Sequence, residues 1–544
     1  MTDSISGQDL GGRDRVGISN SLIYNQKPAA VLARKIQYVG QANNQTYAPG
    51  GLVRLEIPTS PGTFLQSGTT TLKFDFNISS TIAPAGLGDG SVLFDSTAAS
   101  LIRRVRVYSG SSLIEDINEY SKIYELMRDA TASSAECETT GSIEGGPNTE
   151  VFCPGGAPNQ TEVATLTLGC SNVRRSNTDL DFMVPTLLNV GPADNVPYQF
   201  EIPLMSGTIG TMCPKWFPLG AAGAAPLRVE IELNNNNSAI VQSSQSQQPG
   251  QGVIPPPAPN NNNSAIVQSS ASQQPGQVAP ALPPPAPTNQ GTWSLQNVEI
   301  HCDIVQLDNN AMALVDNSVG GEYVVNTSSF RHSQANVNAG VNSSSTILPF
   351  RFSSAKAFLS RHYSQAGQLV RYSPSQTGAT RGNAIEYHHM IGSSHVPANN
   401  VRLGQAEQPA GALLAGVNFT WRQGAVEGVS ELMKAVHGKN ILQVSNKINN
   451  TNWNRSVIAG VTGLDGVGQE VQRGTFTYAV DLESQGKASE LIENGTSTVS
   501  LQCFLNVNYG GAAGAGTPEA LVLHSWCLHD LRLEFVGGVC ISRF

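Results

Sequence analysis

The residues best equipped to bind a metal or attack a substrate are nine histidines and eight cysteines. His388, His389 and His395, with Glu386 beside them, could offer imidazoles and a carboxylate to a divalent metal. Adjacent residues on a strand point to opposite faces, however, so His388 and His389 do not readily face one ion, and a solvated loop or polar interface is expected. In His524-Ser-Trp-Cys-Leu-His529, strand alternation puts His524 and Trp526 on one face and Cys527 and His529 on the other. Only Cys527 and His529 could then pair as nucleophile and base; no third group orients them, so a structural cysteine beside a polar histidine is expected. Asp481 and Glu483 share a strand face without a cleft, which suggests intersubunit hydrogen bonding rather than acid–base work. Arg361, His362, Tyr363, Arg371 and Tyr372 mix basic and aromatic groups able to stack on nucleotides. Their strand-like setting in an acidic chain favours an intersubunit contact. Phosphate-loop, nucleophile-elbow and zinc-protease patterns are absent. The expectation is therefore no catalytic, cofactor-binding or metal residue, no cofactor, and no enzyme.

Composition narrows the remaining classes. The net charge of −9 opposes a surface that coats nucleic acid, and no specific nucleic-acid site is expected. Arg103, Arg104 and Arg106 form a local basic cluster, but alternation splits Arg103 from the other two, as on a solvated or interface strand. Only 13% of residues are charged. That is about half the usual share, as in a chain that covers much of its surface with protein. The cysteines, at 137, 153, 170, 213, 302, 503, 527 and 540, show neither Cys-x-x-Cys pairing nor a disulfide pattern, which points to a reducing compartment. Met1 to Asn20 is polar and Gly-rich, so no secretory signal is expected, and no apolar run is long enough for a spanning helix.

The elements that must position these groups are mostly strands. Val53, Leu55 and Ile57, then Leu72, Phe74, Phe76 and Ile78, alternate with polar residues, as do Val105 and Val107. Further strands are expected at 163–168, 198–202, 227–233, 298–305, 346–352, 355–359, 476–482, 499–507 and 531–535. Ile117, Tyr120, Tyr124 and Met127 have helical spacing, with Asp116 as N-cap and Glu119 as capping-box partner. Val426, Val429, Leu432, Met433 and Val436 form a second helical stripe ending at Gly438.

Between two such β-rich halves lies an eighteen-residue unit, Asn234 to Gln251, repeated almost letter for letter at Asn260 to Gln277, each copy followed by Pro-Pro-Pro-Ala-Pro. Asn, Gln, Ser and Pro dominate it, so it reads as a linker with too few apolar residues to offset chain ordering. The organisation expected is a flexible arm over 1–30, a first β-domain over 31–233, the duplicated linker over 234–288 and a second β-domain over 289–544.

Leu101-Ile-Arg-Arg-Val-Arg-Val-Tyr-Ser-Gly followed by Leu113-Ile-Glu-Asp-Ile-Asn-Glu-Tyr resembles the first-domain strand, turn and helix of double jelly-roll major capsid proteins, nearest those of virophages and polinton-like viruses. Pro226-Leu-Arg-Val-Glu-Ile-Glu-Leu, Leu295-Gln-Asn-Val-Glu-Ile-His-Cys-Asp-Ile-Val, Phe352-Ser-Ser-Ala-Lys-Ala-Phe, Ile391-Gly-Ser-Ser-His-Val-Pro and Val480-Asp-Leu-Glu-Ser follow in the order of that family. The resemblance implies an all-β chain of two eight-stranded antiparallel jelly rolls, with short helices in the inter-strand excursions. It implies a structural protein that self-assembles as pseudo-hexameric homotrimers into the icosahedral shell of a double-stranded DNA virus. Implied partners are neighbouring capsomers, penton and minor capsid proteins, and a membrane or genome at the inner face; the implied location is the virion capsid, assembled inside the host cell. The long excursions 131–160 and 371–425 are candidates for towers or intersubunit contacts. Because a roll of eight alternating strands starts and ends at the same end, the linker is expected beside the N-terminal arm, toward the inner face. The alternative is a two-domain β-sandwich adhesin, or a carbohydrate-binding or carbohydrate-active protein, with independent, non-interacting domains.

Overall fold

The computed structural model describes residues 33–79, 91–94, 97–132, 143–144, 188–189, 197–220, 225–235, 240–243, 292–320, 322–365, 379–403, 425–437, 448, 453, 475–483, 494–510, 517, 520–536 and 539–543. The arm at 1–30, the expected strand at 163–168, Arg371, Tyr372, Gly438 and the linker from 244 to 291 lie outside them.

The first roll is built from β1 (Ala33–Gln41), β2 (Leu52–Ile57), β3 (Thr63–Ser79), β4 (Ser91–Phe94), β5 (Ile102–Ser109), β6 (Ser112–Asn118), α1 (Tyr120–Thr131), β7 (Leu188–Asn189), β8 (Tyr198–Pro203), β9 (Leu227–Leu233), β10 (Ile240–Ser243) and β11 (Thr292–Leu307). Period-two patterning explains the main strands: Val53, Leu55 and Ile57, and Leu227, Val229, Ile231 and Leu233, are buried, with polar residues between them. One sheet runs β1-β11-β3-β8 and faces a second, β2-β9-β5-β6. The second roll follows α2 (Asn309–Val319) with β12 (Tyr323–Val337), β13 (Ser343–Leu348), β14 (Ala355–Ser364), β15 (Ala384–Ile391), β16 (Ser394–Arg402), α3 (Ala425–His437), β17 (Tyr478–Asp481), β18 (Cys503–Tyr509), β19 (Leu521–Val536) and β20 (Val539–Arg543). Its sheets run β12-β19-β14-β17 and β13-β18-β15-β16, with β20 folded back on β19.

Leaving out the excursion strands β4, β7 and β10 and the final β20, each roll uses its strands in the same order. The first, eighth, third and sixth make one sheet; the second, seventh, fourth and fifth make the other. All pairings are antiparallel. This is the jelly-roll winding, present twice in one chain.

The winding corrects the expected boundary. Thr292–Leu307, expected to open the second domain, is the eighth strand of the first roll: it pairs with β1 from Ala33↔Leu307 to Gln41↔Glu299, and with β3 on its other side. The duplicated segment is thus a connection inside the first roll, between its seventh and eighth strands, and the rolls divide after Leu307, at α2. Its expected place corrects too. β1 enters at Ala33 beside Leu307, and β3 begins at Thr63 beside Gln306; this is the proximal end. β9 ends at the opposite, distal end, where Leu233 pairs with Ile102 and the Asn234 amide donates to the Leu101 carbonyl over 2.8 Å. There β10 pairs with β4 and β4 with β7, joining three excursions in a small distal sheet.

The helices differ from their sequence reading as well. Asp116 to Asn118 stay in β6, where Asp116 holds Arg104, and α1 starts at Tyr120 after Glu119 in the left-handed region at φ 53°, without a side-chain cap. Residues continuing a buried strand outweigh a capping box. The stripe Val429, Leu432 and Met433 is buried in α3, whereas Val426 is exposed. The helix α2 was not anticipated. Asp308 caps it, accepting from the Ala311 amide at 2.7 Å, and Gly320 closes it at φ 66°; Ala311 is buried and Met312 and Val315 pack half-buried on the core, a short stripe.

Candidate functional site: the contact between the two rolls

A dense buried polar cluster joins the two rolls. A bulge in β6, between the pairs Val107↔Glu115 and Tyr108↔Leu113, leaves both Ile114 and Glu115 buried. The Glu115 carboxylate accepts at one oxygen from the Gly207 amide (2.8 Å) and Ser329 hydroxyl (2.7 Å), and at the other from the hydroxyls of Ser206 (2.5 Å) and Thr208 (2.7 Å) and the Thr208 amide (3.2 Å). Ser329 lies on β12, so one carboxylate ties the end of β6 and the Ser206–Thr208 turn to the second roll. Five donors satisfy a charge that would otherwise be costly to bury. Gly207 explains the close approach: a Cβ there would sit 2.1 Å from the Ser328 carbonyl oxygen.

A second tie runs through α1. Asp129 accepts from the Arg361 guanidinium at 3.0 Å, with Arg361 0% and Asp129 2% exposed. Arg361 lies on β14 and spends its remaining donors on the Thr477 hydroxyl (2.8 Å) and the Thr475 carbonyl (3.1 Å). Tyr120 anchors the start of α1 by accepting from the Met205 amide at 2.7 Å. Phe64 meets Tyr323, and Phe217 meets Phe535 edge-on at 5.2 Å, closing the proximal end of the contact.

Between these ties lies a chain of side chains from both rolls. Lys122 is bound by Glu119 at 2.6 Å and donates to His524 Nε2 at 3.2 Å; His524 Nδ1 lies 2.9 Å from His332 Nε2; and His332 Nδ1 lies 3.4 Å from the Asn118 amide. Trp526 flanks both imidazoles, and the Tyr363 ring sits beneath the Lys122 ammonium. Burial holds His332 down at about 4 and His524 well below its usual range.

Of the sequence candidates, Arg361 and Tyr363 land at this contact between rolls. Arg361, His362 and Tyr363 are buried, His362 between Tyr478 and Tyr509, so the expected intersubunit or nucleotide-stacking surface is corrected. The alternation rule fails for them because β14 is covered on both faces. Asp481 accepts from the Glu483 amide at 3.1 Å, and Lys356 reaches both Glu483 and Asp530, so hydrogen bonding there is within the chain. Cys527 and His529 form no dyad: the thiol contacts the Leu528 carbonyl and is pushed well up by burial, while His529 stacks on Phe352 at 3.9 Å. His388 stacks on His395, while His389 is buried on the other face, between Phe358 and Tyr387, with neither ring nitrogen hydrogen-bonded. Among the described residues, no three His, Cys, Asp or Glu side chains are placed to hold a metal, and Cys213, Cys302, Cys503, Cys527 and Cys540 are free and buried. The arginine cluster is neutralised on the outer sheet face, Arg104 by Asp116, Arg106 by Glu230 and Arg103 by Glu232. Glu115, Asp129 and Lys122 were missed because a polar residue at a strand or helix position normally signals solvent.

No protein-family model and no curated protein matches the chain. Solved structures do. A chain from the structure of the Sputnik virophage matches with a TM-score of 0.51 at 10% identity, over 97% of this chain and 92% of that one. The mavirus major capsid protein matches at 9% identity over 98% and 95% of the two chains, with a TM-score of 0.49. The Faustovirus major capsid protein matches at 7% over 94% and 91%, also at 0.49. At these identities the likeness is one of fold. With the repeated strand order, it makes this chain a double jelly roll, as its sequence motifs implied.

Proposed function

We propose that the chain is a structural major capsid protein that self-assembles as pseudo-hexameric trimers into the icosahedral shell of a double-stranded DNA virus. The observation that carries this reading is the locking of two rolls of identical winding side by side by the buried carboxylate Glu115 and the Arg361–Asp129 pair. Three such chains place six similar rolls around one axis, and a near-hexagonal tile follows from an ordinary cyclic trimer. The sandwich adhesin or carbohydrate protein requires domains that ignore each other, and the buried contact between rolls speaks against it.

In this reading the protein acts by association rather than catalysis. A surface with few charges lets neighbouring capsomers meet through hydrogen bonds and small apolar patches, each contact weak and the closed shell strong. Penton and minor capsid proteins bind the same rim, and the location is the virion, assembled inside the host cell. The proximal end, where β1 enters and α2 joins the rolls, faces the interior and its membrane or genome. The distal end, which carries the anchors of the duplicated segment and of the excursions after β3 and α1, faces outward.

Light scattering and negative-stain imaging of the purified protein test the proposal. A trimer of the 57.5 kDa chain with a hexagonal outline supports it. A monomer with two separately moving lobes rejects it and returns attention to the adhesin reading.

A further inference from the structure

The chain Lys122–His524–His332–Asn118 crosses from α1 to the second roll and back to β6, and its proton positions are fixed by elementary donor counting. An ammonium only donates, so His524 Nε2 accepts from Lys122. A neutral His524 then carries its hydrogen on Nδ1 and donates it to His332 Nε2. His332 in turn carries its hydrogen on Nδ1, 3.4 Å from Asn118 Nδ2; a half-turn of that amide exchanges its nitrogen and oxygen, and in this orientation the oxygen accepts the hydrogen. Every ring nitrogen has a role when both histidines are neutral. A further proton has no place: on His524 Nε2 it meets the Lys122 ammonium, and on His332 Nε2 it meets the Nδ1 hydrogen of His524. The first turns a bond between the rolls into a repulsion; the second breaks the bond between two histidines of the second roll that holds His524 toward Lys122.

We propose that this chain is an acid-sensitive latch between the two rolls, closed near neutral pH and opened when His332 and His524 take up protons. The charged groups around it favour opening. Lys122 faces His524 directly, and Arg331, beside His332 on β12, adds positive charge that Asp116 partly offsets at 3.6 Å. Arg103 acts on Glu119 from β5, and Glu119 alone among the facing groups supports the protonated form, though it is already bound to Lys122. Tyr363 and Trp526 complete the surroundings with rings. Both histidines have folded-state values below that of an unfolded histidine. The unfolded or separated state therefore binds more protons as pH falls below about 6.5, and stability is lost in that direction. If the capsid reading holds, acid loosens the capsomer itself rather than the contacts between capsomers; the latch does not depend on that reading.

The test compares urea unfolding and hydrogen exchange of the full-length protein from pH 7.5 to pH 4.5 with those of His332→Gln/His524→Gln. The other buried histidines are common to both proteins and cancel. Below pH 6 the unfolding equilibrium constant of the parent should rise more steeply, by up to about 100-fold per pH unit for two protons. Exchange at the Gly207 and Thr208 amides, which bond Glu115 between the rolls, should rise with it. Equal slopes and unchanged exchange overturn the latch. Should the double variant fail to fold, Lys122→Met keeps both histidines and removes the ammonium that holds their folded values down; its loss of stability below pH 6 should then be shallower than the parent's, and an unchanged slope overturns the latch equally.

Discussion

The Arg361–Asp129 pair gives the sharpest test of how the rolls are joined. Asp129→Leu leaves a guanidinium that is 0% exposed without its carboxylate, and Arg361→Met takes the guanidinium from a carboxylate that is 2% exposed. At an effective dielectric of 20 the attraction over 3.0 Å is of order 5 kcal/mol, and removing one partner of such a pair costs about 3–5 kcal/mol. Arg361→Met also removes one donor each from the Thr475 carbonyl and the Thr477 hydroxyl, adding about 1 kcal/mol, while the Thr477 hydroxyl still donates to Thr475. The double variant buries no unpaired charge and should cost only about 1–2 kcal/mol, giving a coupling of at least 3 kcal/mol. The assay is urea unfolding of all four proteins, read on the first transition, since two rolls need not unfold together. A double variant costing as much as the two singles combined would refute the argument, because the pair would then not act as a unit.

Gly207→Ala should part the rolls, since its Cβ would meet the Ser328 carbonyl at 2.1 Å; the expected loss is about 3 kcal/mol, seen as a lower thermal midpoint, and an unchanged midpoint would show that the turn yields. His389→Leu removes an imidazole held near pKa 3 by burial, with both nitrogens unbonded. Its folded value lies below the unfolded one, so the parent loses stability as pH falls from about 6.5, and the variant should gain about tenfold in relative folding constant per pH unit below 6; parallel pH profiles would contradict this. A short epitope inserted after Gln251 should bind its antibody on intact shells, because the described anchors of the segment lie at the distal end; binding only after disruption would place that end inward.

The strands were legible because alternation is a local signal: Val53, Leu55 and Ile57 are buried just as their spacing requires. Strand partners were not, and the duplicated segment shows why. A long polar stretch looks like a domain boundary, yet closing a loop costs only slowly more entropy as the loop lengthens, so a roll tolerates one between its seventh and eighth strands. In the structure seven strands of the roll precede the segment, and an antiparallel roll that begins proximally needs an eighth to return there; in the sequence only six were legible before it, 163–168 among them but neither β1 nor β6, so counting gave no warning. The site was harder still. Arg361, His362 and Tyr363 stood out as chemistry-bearing residues, but their strand is buried on both faces, and no single-sequence pattern tells a covered polar face from a wet one.

The polarity of the contact between rolls now has a physical reading. Apolar faces of two similar sandwiches would slide and re-register at little cost, because dispersion contacts are non-directional. Glu115 cannot: its five donors come from the Ser206–Thr208 turn and from Ser329 on β12, and a shift of one residue would bury the carboxylate unsatisfied. Arg361 fixes the orientation of α1 in the same way, through three acceptors on two rolls. In the capsid reading, the relative placement of the two rolls sets the angles of the trimer's outline, and a small slip in each chain would propagate through the shell. Buried charge, weak as a source of stability, is well suited to fixing that one geometry.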